Sequence, residues 1–488
     1  MKDLAKWQII SFASRAVAMF MGLIQSFIIV RILTVGEWGI VQLAVSIGGA
    51  FGIYQHLGLV SGSTREISSA KSDTEIFKIF LTGILIRYCV TIPISIFLFF
   101  GAQNIALSKY NDPALILPVK IYAGIVLLQG VQGLFNSVIS GTKRFRSLFL
   151  YQALVSVLSV AIFVPFVYFL KINGYFYALL AFDAICSFIL GYIAFRPLKG
   201  KIIMPTIEDF KRLIKELLSI SLAIYAIKVI YTWWEKSGPL LLGFTVSNEM
   251  IGFFSLALLY AKKLMLASDS VTDVNLPVLS DKYVNDIKEF KRLFTDNFNK
   301  VYSLIFLIAI TAVFWSKEFI PIAVGGDKYD QSLPLILPLG FAFIFYSLIN
   351  IVTSSILIPA KMVKHMIAGF MLMLVSTVAS YFVLSNFAEP MKAMAYGMVI
   401  GGFVGFVSMV VISRRVLSFM NIDHLLIAFQ GLVISLSASI SDIYIKFGLF
   451  VVFMSLYIWS TISCGFMKSD DLKYLVAKVG SKLKVKKQ

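Results

Sequence analysis

RILTVGEWGIVQLA, residues 31–44, breaks an apolar opening with an arginine, a glutamate and two glycines. A stretch of the same kind returns in the second half of the chain. GIVQLA (39–44) aligns with GFFSLA (252–257), each preceded by a short turn that holds a glutamate, Glu37 in one and Glu249 in the other. LILP at 115–118 returns at 335–338, and SVISGTK (137–143) returns as SILIPAK (355–361). One such match is weak in a chain this rich in Leu and Ile, but three in the same order at an offset of roughly 215 residues mark an internal repeat. The offset covers six apolar segments, an even number, so both copies enter a membrane in the same direction about an axis along its normal. Glu37 and Glu249 fall near helix N-termini, where the macrodipole favours negative charge, and Gly39 and Gly252 permit tight helix starts or close packing. These four residues read as a structural corner used twice.

The setting is a bilayer. The 488 residues are 59% hydrophobic and only 14% charged, with a mean hydropathy of +0.86, far from the make-up of a soluble domain. Apolar runs of about 20 residues, roughly 30 Å of helix, recur along nearly the whole length. About fourteen are predicted: 7–33, 38–60, 79–100, 115–139, 148–170, 175–195, 217–242, 251–271, 301–319, 333–358, 366–384, 393–412, 425–440 and 443–466. The fold class expected is all-α integral membrane. Alternating ten-residue strands, which a membrane barrel needs, are not visible.

Charge sets the orientation. Most of the 44 Lys and Arg fall in loops on one side, among them GTKRFR (141–146), RPLKGKIIMPTIEDFKRLIKELL (196–218) and the tail KSDDLKYLVAKVGSKLKVKKQ (468–488). The positive-inside rule places both termini in the cytoplasm and accounts for the net charge of +18 without a nucleic-acid partner. The organisation expected is a six-helix bundle over 1–200, an amphipathic linker over 201–216, a second six-helix bundle over 217–415, two extra helices over 416–466 and a basic tail over 467–488. Arg15 interrupts the first apolar run, and no small-residue cleavage site leads into a soluble domain, so that run reads as an uncleaved helix and not a signal peptide. Cys89, Cys186 and Cys464 lie inside apolar spans without CxxC spacing, and His56, His365 and His424 are scattered, so neither a disulfide framework nor a metal site is expected.

The chemistry-bearing residues are the charges inside spans, which are costly in a membrane and usually face a cavity or one another. Arg15, Arg87 and Lys228 lie on the order of 10–17 Å beyond the cytoplasmic ends of their helices. Lys120 is near an outer interface and can snorkel, as can Arg31 and Lys236. Lys262 and Lys263 are adjacent, about 100° apart on a helix, so only one faces a cavity squarely. Asp183 is the comparably deep acid, as an ion-pair partner or as a proton or cation site. A basic in-span balance suits a phosphate-bearing ligand, which Arg can hold bidentately. The loop GAQNIALSKYNDPA (101–114) is too short for an external catalytic domain, and no GxxxxGK[ST] loop supplies ATP-driven work.

At this point the chain resembles a known family. IVRILTVGEWGIVQLAVSI (29–47) is similar to the turn after the first helix of the oligosaccharide flippases of the multidrug/oligosaccharidyl-lipid/polysaccharide exporter superfamily. GPLLLGFTVSNEMIGFFSLA (238–257) with VNLPVLS (274–280) is similar to their seventh and eighth helices. The resemblance implies two pseudo-symmetric six-helix bundles around a central cavity plus two C-terminal helices. It also implies a non-enzymatic transporter in a bacterial cytoplasmic (inner) membrane. Its activity would be flipping an undecaprenyl-pyrophosphate-linked oligosaccharide, an O-antigen or capsule repeat unit, to the outer leaflet by alternating access. The partners expected are that lipid-linked oligosaccharide, membrane lipids and polysaccharide polymerase machinery. No cofactor is expected, and the energy source would be a proton or sodium gradient. The alternatives weighed are a multidrug or cation antiporter of the same superfamily, which should carry an acid-rich cavity, and a membrane glycosyltransferase or polymerase, which the short outer loops disfavour.

Overall fold

The computed structural model describes residues 17–18, 20–199, 202–219, 221–265, 268, 279, 282–440 and 442–466, and among them every regular element is a helix. Among the described residues, eight helices are long and apolar enough to cross a membrane, nine if one bent pair counts as a single span, and two shorter apolar helices, Phe20–Ile32 and Ile422–Leu436, accompany them. The protein is a multi-pass helical membrane protein. Large apolar side chains on its helices are openly exposed, Phe100 at 77% and Phe188 at 78%, as side chains facing lipid must be. By compactness the chain divides into Met1–Ser255 with Ala323–Tyr329, and Leu256–Ile322 with Asp330–Gln488.

In the first unit, α1 (Phe20–Ile32) ends at the stretch quoted above. The carbonyls of Val30 and Arg31 at its end, and that of Leu33 just beyond it, all accept from the Lys328 ammonium at 2.8, 3.1 and 3.0 Å. A cation there satisfies orphan acceptors at the negative end of the dipole. Thr34 then starts α2 (Val35–Gly52) with a capping box: its hydroxyl accepts from the Glu37 N–H at 3.2 Å while the Glu37 carboxylate accepts from the Thr34 N–H at 2.8 Å. In α9 (Asn248–Lys262) the equivalent Glu249 lies in the first turn. The paired glycines explain why the corner is used twice. A Cβ on Gly39 would collide with the Asn248 carbonyl oxygen, and one on Gly252 with the Val35 carbonyl oxygen, so each helix start is packed backbone to backbone against the other.

Beyond α2, a 3-10 turn (Ile53–Gln55) is followed by two left-handed residues, Leu57 (φ 44°) and Gly58 (φ 70°), and α3 (Leu59–Ser69) leaves at 41° to α2. The segment predicted as one apolar span, 38–60, is therefore broken at His56, because consecutive left-handed residues cannot continue an α-helix. Ser72 caps α4 (Asp73–Asn104), accepting from the Glu75 N–H at 3.2 Å. Next come α5 (Ile116–Gly141) and α6 (Phe145–Phe195), the latter broken at Lys171 (φ 51°, ψ −126°) between the predicted spans 148–170 and 175–195. The amphipathic α7 (Ile207–Ser219) turns Leu213 and Leu217 into a cluster with Ile67, Ile76 and Phe80. α8 (Ser221–Leu242) precedes α9.

The second unit holds α10 (Ile287–Phe314), α11 (Ser316–Val324), α12 (Leu333–Val352), α13 (Val363–Leu384), α14 (Pro390–Ser413), α15 (Ile422–Leu436) and α16 (Ile443–Ser463). Asp286 caps α10, and Phe290, Phe294 and Phe298, one turn apart, stack along one face and meet Phe419. Gly397, Gly401 and Gly405 of α14, also one turn apart, lie against Thr377 and Met373 of α13, the small-residue packing that membrane helices use in place of a hydrophobic drive. α16 is pinned by a fully buried Lys446, which donates to both Glu318 oxygens at 2.7 and 2.8 Å and lies 5.1 Å from the Phe314 ring centroid. A buried pair of this kind costs about as much desolvation as it returns in attraction, so its role is register more than stability. Arg15, most of VNLPVLS and the basic tail 467–488 lie outside the described residues.

Candidate anion site

α5 carries the sequence QGVQG, Gln129 to Gly133, and two polar clusters form on adjacent faces of it. Gly130 and Gly133, three residues apart, share one face; Gln129 and Gln132, one residue earlier in each case, share the next.

On the glycine face lies Arg87 of α4, fully buried. Its Nη2 donates to His56 Nδ1 at 3.1 Å, which requires that ring nitrogen to be the unprotonated one. The break before α3 is what places His56 there. The other Arg87 nitrogens, Nε and Nη1, are buried without a partner, and so are both amide atoms of Gln55, a residue with no exposed surface. A Cβ on Gly130 would come within 3.2 Å of Gln55 Oε1 and 3.7 Å of Arg87 Nε, and one on Gly133 within 2.9 Å of Arg87 Nη1. The two glycines thus form a cradle under the guanidinium. Lys228 of α8 stands close enough to act electrostatically on both His56 and Arg87. α8 is held at that place by two bonds to Tyr54: Tyr225 Oη donates to the Tyr54 carbonyl at 3.1 Å and Trp233 Nε1 to the Tyr54 hydroxyl at 2.9 Å.

On the glutamine face Asp183 of α6 is 5% exposed. Its Oδ2 accepts from Gln129 Nε2 at 3.0 Å and its Oδ1 from Gln132 Nε2 at 3.3 Å, while Gln132 Nε2 also reaches the Asp183 carbonyl at 2.9 Å. Tyr122, Tyr151 and Tyr175 lie within its electrostatic reach. Its partners are neutral amides.

Of the predicted cations, Arg87 and Lys228 lie within electrostatic reach of one another, and Lys120 does not join them. Lys120 is ten residues from Gly130 on α5, about 15 Å along the axis, and sits over the Phe99 ring at 5.7 Å. Lys262 ends α9, partly buried beside Lys263, in the second unit. Arg15 is outside the described residues. Glu37, Gly39, Glu249 and Gly252 form the corner described above. Sequence reasoning passed over Gln55, His56, Gln129, Gly130, Gln132 and Gly133. A pair of Gln-Gly steps three residues apart inside an apolar span was the readable signal, since an amide at membrane depth needs a partner as a charge does.

The polysaccharide biosynthesis protein family matches residues 28–334, more than half of the chain. The chain belongs to this family. No curated protein matches it in sequence. In structure, this family member is similar to an inward-facing multidrug resistance MATE transporter of the MOP superfamily (TM-score 0.70, 12% identity, covering 82% of this chain and 94% of that one). It is also similar to the lipid II flippase MurJ in an inward closed conformation (TM-score 0.71, 14% identity, 96% and 99%). The eukaryotic MATE transporter AtDTX14 matches with a TM-score of 0.59 at 15% identity, over 88% of this chain and 97% of that one. This family member therefore has a fold shared by MATE transporters and the lipid II flippase MurJ.

Proposed function

We propose that this protein flips an undecaprenyl-pyrophosphate-linked oligosaccharide, an O-antigen or capsule repeat unit, from the cytoplasmic to the outer leaflet of a bacterial inner membrane. Both termini would be cytoplasmic, and the mechanism alternating access. The observation that carries this reading is the Arg87 guanidinium: buried, held from one side by His56, with two nitrogens unpaired over a glycine cradle and Lys228 nearby. A buried cation with free donors is costly, and a phosphate oxygen is the partner whose charge and geometry offset that cost. The glycines let the guanidinium lie directly against α5, since a side chain at either position would push against Arg87 or Gln55. The sugar would be handed on to polymerase machinery at the outer face.

Asp183 is the group proposed to couple transport to a proton or sodium gradient. It is a buried acid at membrane depth, held in place by two neutral amide donors. This buried acid also favours a second reading, a cation or drug antiporter, for which the matches to MATE transporters speak. Deleting the gene and locating the lipid-linked sugar separates the two. The flippase reading predicts complete repeat units stranded at the cytoplasmic leaflet and less surface polysaccharide, whereas the antiporter reading predicts normal polysaccharide and altered tolerance of cationic toxins. Accumulation at the outer leaflet would refute the flippase.

A further inference from the structure

A second, unrelated feature lies on the lipid-facing side of the first unit. Where the end of α4, the start of α5 and the second half of α6 meet, a groove of 660 Å³ opens between Ile96, Phe99, Phe100, Leu117, Tyr177 and Leu180. That is within the size range, about 300–1,000 Å³, of pockets that enclose a small ligand. Its walls are almost wholly apolar, and the only charged residue lining it is Lys120. The ammonium has no hydrogen-bond or ion-pair partner among the described residues and lies over the face of Phe99 at 5.7 Å. Ser95, the one hydroxyl in the wall besides Tyr177, already donates to the Ala123 carbonyl at 2.7 Å. The floor is Gly124, where an added Cβ would come within 3.3 Å of Leu180.

The geometry matches one class of occupant. Lys120 is four residues past the start of α5, about 6 Å along the helix, so its long side chain reaches the headgroup level. Leu127, at the inner end of the groove, lies about 10 Å deeper, well within one leaflet of a hydrocarbon core about 30 Å thick. A trough that runs inward from a single interfacial cation through apolar walls suits one acyl chain beneath one phosphate. It does not suit a sugar, for which the walls offer only the Tyr177 hydroxyl besides the Lys120 ammonium. We infer that this groove binds a membrane phospholipid with a net negative headgroup, its phosphate on Lys120 and an acyl chain along Phe99, Leu117 and Leu127. The inference does not depend on the flippase reading, because the groove shares no residue with the Arg87 cluster.

Native mass spectrometry of the full-length protein in mild detergent, titrated with phosphatidylglycerol or phosphatidylethanolamine, tests it. Wild type should retain phosphatidylglycerol about fivefold more strongly, the preference one interfacial lysine confers. Lys120→Gln and Lys120→Glu should abolish that preference, Lys120→Arg should keep it, and Gly124→Leu, which fills the floor, should weaken retention of both lipids. Equal retention of the two lipids by wild type would overturn the inference, as would an unchanged preference in Lys120→Gln. So would Lys120-dependent retention of a prenyl pyrophosphate with no such dependence for phosphatidylglycerol. Lys120→Gln removes the charge with little change of shape, so the result stands even if Lys120→Glu fails to fold.

Discussion

The two faces of α5 carry opposite charges in opposite states of completion. On the Gly130/Gly133 face a buried cation has one bond to His56 and two nitrogens without a partner, beside a Gln55 amide that is also unpaired. On the Gln129/Gln132 face a buried acid has both oxygens occupied. Unpaired buried donors cost on the order of 1–3 kcal/mol each, so folding alone would not preserve the first arrangement, whereas the second closes on itself. The first is the arrangement that the proposed phosphate would complete. The second holds its acid in place with neutral partners. One helix can do both because a step of one residue turns its side chains by about 100°.

The largest effect expected follows from the open face. Arg87→Ala should lower transport about 100-fold while leaving membrane insertion intact, because it removes the two charge-assisted bonds proposed for the ligand and, of the side-chain bonds the fold has closed, only that to His56. Arg87→Lys should recover part of the loss, since an ammonium supplies charge without the planar fork. Transport measured in reconstituted vesicles, alongside membrane abundance, checks this; loss of the folded protein with normal transport by the remainder would assign Arg87 to the scaffold. The closed face should behave differently. Asp183→Asn should cut gradient-driven transport about tenfold and leave gradient-independent exchange near wild type. Asp183→Ala should also destabilise by about 1 kcal/mol, because it leaves the half-buried Gln129 amide without its acceptor while Gln132 keeps the backbone carbonyl of residue 183. Equal rates with and without a gradient in wild type would break the contrast between the faces.

How far the sequence reveals this depends on distance along the chain. The repeated corner was legible because its glycines and glutamates recur in order, and the broken α6 was legible because KING, residues 171–174, separates two apolar runs. The cluster around Arg87 was legible only in part. Arg87 and Lys228 stand out as charges in apolar spans, but His56 reads as a scattered histidine, its partner being 31 residues away on another helix. Its position depends on the left-handed pair Leu57 and Gly58, a backbone event that hydropathy does not register. Lys328 is a sharper case. It caps α1 from nearly 300 residues away, and nothing in the pattern around either segment connects them. Periodicity and charge reveal which residues are costly in a membrane, whereas long-range packing decides which of them meet.

The glycines sharpen the same comparison at a smaller scale. At the corner, Gly39 and Gly252 face backbone carbonyls, which cannot move aside. At the cradle, Gly133 faces the end of Arg87 and a Val60 methyl at 2.9 Å. Gly39→Ala or Gly252→Ala should therefore destabilise the protein by about 1–3 kcal/mol through overpacking. Gly133→Ala should cost less than 1 kcal/mol while lowering transport several-fold, since the added methyl displaces the guanidinium and not the helix. Thermal unfolding in detergent beside vesicle transport separates the two kinds of glycine, and an equal stability loss at both places would erase the distinction.

The smallest effect concerns a closed pair outside the spans. Asp209 of α7 accepts from Lys78 Nζ at 2.7 Å, and this bond, with those from Thr206, holds its carboxyl below the usual carboxylate range. A depressed acid stabilises the arrangement fully above its unfolded value and loses that contribution as pH falls through the folded one, so the tether between α7 and α4 is constant from pH 8 to pH 5 and weakens only in more acid solution. The pair is open to solvent and screened, so its loss should loosen α7 without releasing Leu213 and Leu217 from their cluster. A spin label at position 211 should then show unchanged mobility across pH 8 to 5 and a modest rise below that, with Lys78→Gln already raised at every pH. A rise centred near pH 6 to 7 would mean that a histidine controls this helix and that the Asp209 tether is incidental.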